Sequence, residues 1–176
     1  MNPTSPQPSR KAQPNAVLSA WHRWSRVPGG RWLLSWMVGR QIPFTGKVSA
    51  LIEHVAPGEA RVSMRDRRGV RNHLRSIHFG AITTFGELPS GLAMLAAAPP
   101  DIRYIMLEIN IQFLKKARGR LTASCRFDPA LVAEVTAARN IPLDVSVTDA
   151  SGEVVAQARY VWRLAPRLPS DTPSIP

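Results

Sequence analysis

Residues 79–97 decide the fold, and they read Phe-Gly-Ala-Ile-Thr-Thr-Phe-Gly-Glu-Leu-Pro-Ser-Gly-Leu-Ala-Met-Leu-Ala-Ala. The segment is long, apolar on nearly all sides and rich in small residues, which predicts a helix buried in the core. One face carries its polar and small members at helical spacing: Gly80, Thr83, Thr84, Glu87 and Gly91. Such a face lets another backbone or a ligand approach closely. Pro89 lies inside the segment, where it removes a backbone hydrogen bond and should kink the helix.

On both sides of this helix, apolar and polar residues alternate with a period of two, which is typical of strands with one buried face. The predicted strands lie around residues 46–55, 60–65, 105–113, 121–127, 143–147 and 156–162. Turn signals such as Pro57-Gly58 and Arg118-Gly119 separate them, and short connections favour antiparallel neighbours. A second, short helix is expected at residues 130–139. The order of elements predicts an α+β fold, with an antiparallel sheet packed against one central helix.

An aromatic and basic segment precedes the sheet, at residues 16–40. Trp21 and Trp24 fall at helical spacing, and residues 32–37 predict a second short helix after a Pro-Gly-Gly break. These helices either cap the core, which the large area of tryptophan favours, or rest on a membrane surface as a peripheral contact. Residues 1–15 and 165–176 are rich in proline and small polar residues, which predicts disordered tails. Residues 16–164 are then one domain.

Composition limits the classes of function. The chain has 176 residues, 44% of them hydrophobic, and a formal net charge of +11. A basic protein of this kind attracts nucleic acid, anionic lipid or phosphate-rich small molecules, but no recognised nucleic-acid module is present, so nucleic acid is not expected as the partner. No set of side chains has zinc-site spacing, so no metal site is expected. With no visible secretory signal and no apolar run long enough to span a bilayer, we expect a cytoplasmic protein. Cys125 alone cannot form an internal disulfide and is expected to be a buried strand thiol.

The start of the predicted helix carries the candidate chemistry. His78 lies where the helix begins and Gly80 lies in its first turn, where free backbone N–H groups can polarise a carbonyl or bind an oxyanion. Glu87 follows His78 by nine residues, or about two and a half turns, so it cannot easily reach the start of its own helix. It could reach the helix of a neighbouring chain. Taken alone, Glu87 could also be a structural acid and His78 a helix cap.

Asn72, His78, Gly80 and Glu87 together resemble the active-site segment of the hotdog-fold thioesterases. An uncharacterised branch of that superfamily is similar in three further places: Asn72-His73, Gly86-Glu87-Leu88 and residues 114–119, Leu-Lys-Lys-Ala-Arg-Gly. The resemblance covers roughly residues 16–164. It implies a sheet wrapped around a long helix, with two chains joined edge to edge in a homodimer, or two such dimers in a tetramer.

The resemblance also implies hydrolysis of an acyl-CoA thioester at the dimer interface. A backbone N–H near Gly80 would polarise the thioester carbonyl, and Asn72 and His78 would help to position it. Glu87 of the other chain would attack the carbonyl or activate a water molecule. No cofactor is implied beyond the coenzyme A of the substrate.

Two alternatives stay open. The cluster Lys115, Lys116 and Arg118 is either a solvated charged surface or a binding site for the phosphates of coenzyme A. The chain is either an enzyme or a hotdog protein that binds an acyl-CoA or another lipid without hydrolysing it. Three departures from the family pattern keep the second reading open: Phe79 in place of a glycine, Gly91 in place of a hydroxyl residue, and the internal Pro89.

Overall fold

A computed structural model of the protein describes residues 15–167. Its helices are α1 (Ala16–Trp24), α2 (Gly30–Gln41), α3 (Pro43–Gly46), α4 (Phe79–Ala97) and α5 (Ala130–Ala133). Its strands are β1 (Leu51–Ala56), β2 (Glu59–Met64), β3 (Ile102–Phe113), β4 (Leu121–Arg126), β5 (Arg139–Thr148) and β6 (Val154–Pro166). The strands form one antiparallel sheet in the order β1-β2-β4-β5-β6-β3. The predicted α+β architecture is confirmed.

Helix α4 is the centre of the core, as its composition predicts, and it packs on β1, β2, β4, β5 and β6. Two aromatic side chains of β6 fix its position. The hydroxyl of Tyr160 donates to the carbonyl oxygen of Thr83 at 2.7 Å, and the indole N–H of Trp162 donates to the Ser90 hydroxyl at 3.1 Å. Gly86 permits this close approach, because a Cβ atom there would lie 2.4 Å from the Tyr160 hydroxyl. The small residues of α4 therefore let the helix and the sheet pack tightly.

Strand β3 lies at one edge of the sheet, and within residues 15–167 its one partner strand is β6. Its apolar row was predicted to face the core. In the single chain, however, these side chains are largely exposed: Ile105, Leu107, Ile109 and Phe113. A bulge between Met106 and Glu108 also breaks the row, so that Ile105 lies opposite the exposed Arg163 whereas Ile109 lies opposite the buried Tyr160. An exposed apolar edge strand is normally covered in the functional protein.

Helices α1 and α2 confirm the predicted helical pair before the sheet. Trp21 and Leu34 are buried in the core, so the pair caps one end of it. Asn15 joins α1 to α4: its Oδ1 accepts from the N–H of Leu18 at 3.1 Å, while its Nδ2 donates to the carbonyl oxygen of Leu95 at 2.7 Å. No helix within residues 15–167 is long and apolar enough to cross a membrane.

Some boundaries differ from the prediction. The chain forms the short helix α3 where a strand was expected to begin, and β1 starts only at Leu51. Of the helix expected at 130–139, only α5 forms, because the backbone turns extended at Glu134 ahead of β5. Cys125 is buried in β4, as expected, and burial raises its pKa to about 12. The predicted tails lie outside the described residues, apart from Asn15 and residues 165–167, and β6 runs on to Pro166.

Candidate active site

Asn72 shapes the loop that leads into α4. Its Oδ1 accepts hydrogen bonds from the backbone N–H groups of Leu74 at 2.9 Å and Ser76 at 3.2 Å, and from the Ser76 hydroxyl at 3.2 Å. The loop is closed further by a bridge between Arg71 and Ile77. The Nδ2 group of Asn72 makes no hydrogen bond within residues 15–167, so it is the part of this side chain that can serve a ligand.

His78 is the N-cap of α4. Its Nδ1 accepts the backbone N–H of Gly80 at 3.0 Å. The ring is exposed and stacks on Phe79 with 4.3 Å between centroids. The N–H group of Gly80 is therefore already in use in this state, and a thioester carbonyl must displace His78 to reach it.

A neighbouring donor was missed by the sequence reasoning. The first turn of a helix has N–H groups without backbone acceptors, and within the described part of the chain the N–H of Ala81 has none. Ala81 lines a cavity of about 390 Å³ together with His78, Gly80, Lys47 and Arg71. The only sequence signal for it is its place in the first turn.

Glu87 lies half-buried on α4, about 13 Å along the helix axis from His78 at 1.5 Å per residue. Its carboxylate has no hydrogen bond or ion pair within residues 15–167, and burial raises its pKa above the ordinary value of 4.5. The nearby Tyr160 has its own pKa raised, first by burial and then by the negative charge of Glu87. An unpartnered, desolvated carboxylate is costly to keep unless it serves another purpose.

The three basic residues Lys115, Lys116 and Arg118 have different surroundings. Lys115 lies 3.6 Å from Asp149 and also pairs with Glu153, so its charge is already matched. Lys116 and Arg118 are exposed. Lys116 faces the same cavity as Asn72, about 370 Å³ in volume, whereas Arg118 lies near Asp66 and helps to lower the pKa of that carboxyl.

The predicted residues thus form two groups in one chain, and Glu87 and Arg118 belong to neither. Asn72, Lys115 and Lys116 share one cavity with the exposed rings of Phe79 and Phe113. A second cavity, on the other side of the start of α4, is lined by His78 and Gly80. Neither cavity is lined by Glu87 or Arg118. The structure leaves Glu87 apart from the rest within a single chain, as its helical position predicts.

Solved structures share this fold. One from Pseudomonas aeruginosa, described as a probable thioesterase of unknown function, is 25% identical, covers 80% of this chain and 97% of its own, and has a TM-score of 0.70. A thioesterase from Staphylococcus aureus is 18% identical over 70% of this chain and 99% of its own, with a TM-score of 0.60. A thioesterase from Haemophilus influenzae is 12% identical over 73% of this chain and 87% of its own, with a TM-score of 0.62.

The fold is therefore the hotdog fold of thioesterase-like proteins, which agrees with the resemblance seen in the sequence. A search of curated proteins by sequence found no match. The family comparison did find one, over residues 30–164, which is well over half of the chain. The chain belongs to the family described as Domain of unknown function (DUF4442).

Proposed function

We propose that the protein hydrolyses an acyl-CoA thioester at a site that two copies of the chain build together. The observation that carries this proposal is Glu87. Its carboxylate is half-buried, has no partner in the described chain and has a raised pKa. A general base works best when its pKa lies nearer to the working pH, and burial moves Glu87 in that direction. A structural acid would instead have a donor at hydrogen-bond distance.

The reaction needs a base and an oxyanion donor. Glu87 takes a proton from a water molecule, and the resulting hydroxide attacks the thioester carbonyl carbon. The carbonyl oxygen becomes an oxyanion, which N–H groups in the first turn of α4 stabilise, either from Ala81 or from Gly80 once His78 has moved. When the tetrahedral intermediate collapses, the C–S bond breaks, and the leaving thiolate receives the proton held by Glu87.

Two features favour a shared site. The donors at Gly80 and Ala81 lie seven and six residues before Glu87 on one helix. At 1.5 Å per residue that is roughly 9–10 Å, which is too far for both to contact one carbonyl group. The edge strand β3 offers a way to bring a second α4 close, because it exposes several large apolar side chains and an edge of unpaired backbone groups. Pairing of two β3 strands gives a two-fold dimer, which presents each helix to the other chain.

The spacing of Asn72 and Glu87 has a parallel in one similar structure. Structures of the Staphylococcus aureus thioesterase include two variants, one with a glutamine and one with a glutamate replaced by alanine. Those two residues are as many positions apart as Asn72 and Glu87 are in this chain.

The test replaces the carboxylate by an isosteric amide. Glu87→Gln is expected to lower kcat for acyl-CoA hydrolysis by ~100- to 10,000-fold, because an amide does not accept a proton usefully. The KM should change little, since Glu87 acts on the reacting group. Glu134→Gln removes an exposed carboxylate of α5's C-cap and serves as the matched control with unchanged kcat. A Glu87→Gln protein that folds and turns over normally contradicts the proposal.

The shared site has its own test. Asn72→Ala and Glu87→Gln are each expected to be inactive, because each spoils one half of every site. When the two variants are mixed and allowed to exchange chains, half of the dimers are mixed and each contains one intact site, so roughly a quarter of the activity should return. Mixed dimers shown to form without recovery of activity would place both residues in a site within one chain.

A second function is favoured by one observation. His78 occupies the Gly80 N–H and Phe79 stacks on the His78 ring with its own side chain 61% exposed, so the first turn is partly closed to a carbonyl. A protein that binds an acyl-CoA without hydrolysing it has no need of that donor. Calorimetric binding of an acyl-CoA that remains intact after prolonged incubation would select this function over hydrolysis.

A further inference from the structure

The outer face of α2 and α3 exposes large apolar side chains. Trp32 is 66% exposed, Trp36 50% and Phe44 75%, and Ile42 and Met37 beside them are exposed as well. Core capping does not require these residues, because Trp21 and Leu34 already fill the inner side of α1 and α2. Soluble domains rarely leave several large aromatic side chains exposed on one surface unless the surface binds something.

All the charged side chains of residues 15–52 are basic. Glu53 is the first acidic residue of the sequence, so residues 15–52 contain no carboxylate side chain to balance their cations: Arg23, Arg26, Arg31, Arg40 and Lys47. No ion pair joins any of the five to a carboxylate within the described residues 15–167. Elsewhere in the chain several arginines are paired, for example Arg159 with Asp144 at 2.7 Å.

The aromatic and basic side chains belong to one surface. Trp32, Trp36, Arg40 and Lys47 all line one cavity of about 430 Å³ between α2, α3 and the start of β1. The guanidinium of Arg40 lies over the ring of Trp36, 5.4 Å from its centroid. Phe44 of α3 does not line this cavity but shares the neighbouring one with Lys47. We call the surface made of Trp32, Trp36, Arg40, Lys47 and the adjoining Phe44 the α2–α3 face.

We propose that the α2–α3 face docks the protein on the surface of an anionic phospholipid bilayer. Tryptophan and phenylalanine side chains insert into the boundary between headgroups and acyl chains, while arginine and lysine bind lipid phosphates. The absence of carboxylates over the whole segment removes the repulsion that an anionic surface would otherwise meet. Since no described helix can span a bilayer, the contact is peripheral.

This inference does not depend on thioester hydrolysis, but the two would fit together. The cavity of the α2–α3 face reaches Leu88, which follows Glu87 in α4. A lipid chain that enters between Trp32 and Trp36 would therefore lie next to the helix that carries the candidate base.

Vesicle sedimentation with the full chain tests the proposal. The wild-type protein is expected to sediment with vesicles that contain phosphatidylglycerol, to remain in solution with pure phosphatidylcholine, and to dissociate as the salt concentration rises. Arg40→Gln with Lys47→Gln should weaken partitioning roughly thirty-fold, at ~1 kcal/mol for each charge. Trp32→Ser with Trp36→Ser should weaken it at least ~ten-fold, because the apolar insertion is lost.

Matched controls lie elsewhere on the chain. Arg139→Gln with Arg163→Gln removes two exposed charges from β5 and β6, and Leu131→Ser removes an exposed apolar side chain from α5; partitioning should not change in either. Equal binding to neutral and anionic vesicles overturns the proposal. So does a loss of binding in the charge variant with none in the tryptophan variant, which would indicate attraction to any polyanion. A tryptophan variant whose oligomeric state falls in lipid-free solution would assign the face to a second copy of the chain.

Discussion

The close contact between α4 and β6 allows a prediction about two glycines of the same helix. Alanine in place of glycine normally stabilises a helix by ~1 kcal/mol. At Gly91 the added methyl group would meet the Trp162 ring at 3.5 Å, an ordinary contact, so Gly91→Ala should retain that gain. At Gly86 the methyl group would lie 2.4 Å from the hydroxyl of Tyr160, which is fully buried and cannot move freely.

Gly86→Ala must therefore displace Tyr160 and weaken its bond to the Thr83 carbonyl. Overpacking of this kind costs ~1–3 kcal/mol and the hydrogen bond ~1 kcal/mol, so the net change after the helix gain is a loss of ~1–3 kcal/mol. Each kcal/mol lowers the Tm by ~2–4 °C in a chain of this size. Thermal unfolding of Gly86→Ala and Gly91→Ala at one protein concentration measures the difference.

The contact itself can be isolated with a third variant. With Tyr160→Phe added, the nearest ring atom would lie 3.3 Å from the new methyl group, so the double variant Gly86→Ala/Tyr160→Phe should recover part of the loss. A Gly86→Ala protein at least as stable as Gly91→Ala would refute the packing argument.

At the β3 edge, Ile109→Lys should weaken self-association at least ~ten-fold, because the dimer would have to bury the new charge. Asn110→Lys, on the opposite face of the strand, should leave self-association unchanged. If sedimentation velocity shows equal effects of the two variants, the chains do not pair through β3. Lys116→Gln with Arg118→Gln should raise the KM for an acyl-CoA roughly ten-fold and spare a short thioester without the nucleotide, so equal changes in both assays exclude phosphate binding. Burial raises the pKa of Glu87, so the folded protein is more stable when this carboxyl is protonated. The stability gained from protonation is complete below the ordinary pKa of 4.5, and it is lost as the pH rises through the pKa of Glu87 in the folded state. The Tm advantage of Glu87→Gln over the wild type should then be largest at neutral pH and close on acidification to about pH 4, and a gap that widens in acid contradicts the assignment.

The fold could be predicted because its signals are local. The period-two strands and the apolar, small-residue helix each specify an element, and their order in the chain restricts the architecture. The Pro57-Gly58 turn is one example: Gly58 has φ of +73°, the left-handed conformation that glycine favours, and β1 and β2 pair directly on either side of it.

The sequence does not predict in the same way which apolar surfaces are buried within the chain. Alternation in Ile105–Phe113 indicates that one side of β3 is apolar, but the pattern does not say whether the same chain or another chain covers it. The described chain leaves it open. The α2–α3 face shows the same limit, since Trp21 and Trp36 look alike in the sequence although only Trp21 is buried.

The candidate site was predictable as residue types and spacing, whereas its contacts were not. The helix start at His78 and the separation of Glu87 from it follow from the sequence. The choice of the Gly80 N–H as the partner of His78 depends on the orientation of the His78 side chain. The choice of Asp149 and Glu153 as the partners of Lys115 depends on packing that brings distant segments together. The N–H of Ala81 became a candidate donor only once that first choice was visible.

The side chain of Asn15 bears on where a truncated version of the protein can begin. The family match starts at residue 30, yet Asn15 donates to carbonyl groups at the C-terminal end of α4, among them those of Leu95 at 2.7 Å and Ala96 at 3.2 Å. A chain cut at residue 30 would leave those carbonyls without this donor and would remove Trp21 from the core. We therefore expect the smallest piece that folds cooperatively to begin near Asn15 and to include α1, about 15 residues before the family match begins. Hydrogen exchange should then show α1 and α4 opening together.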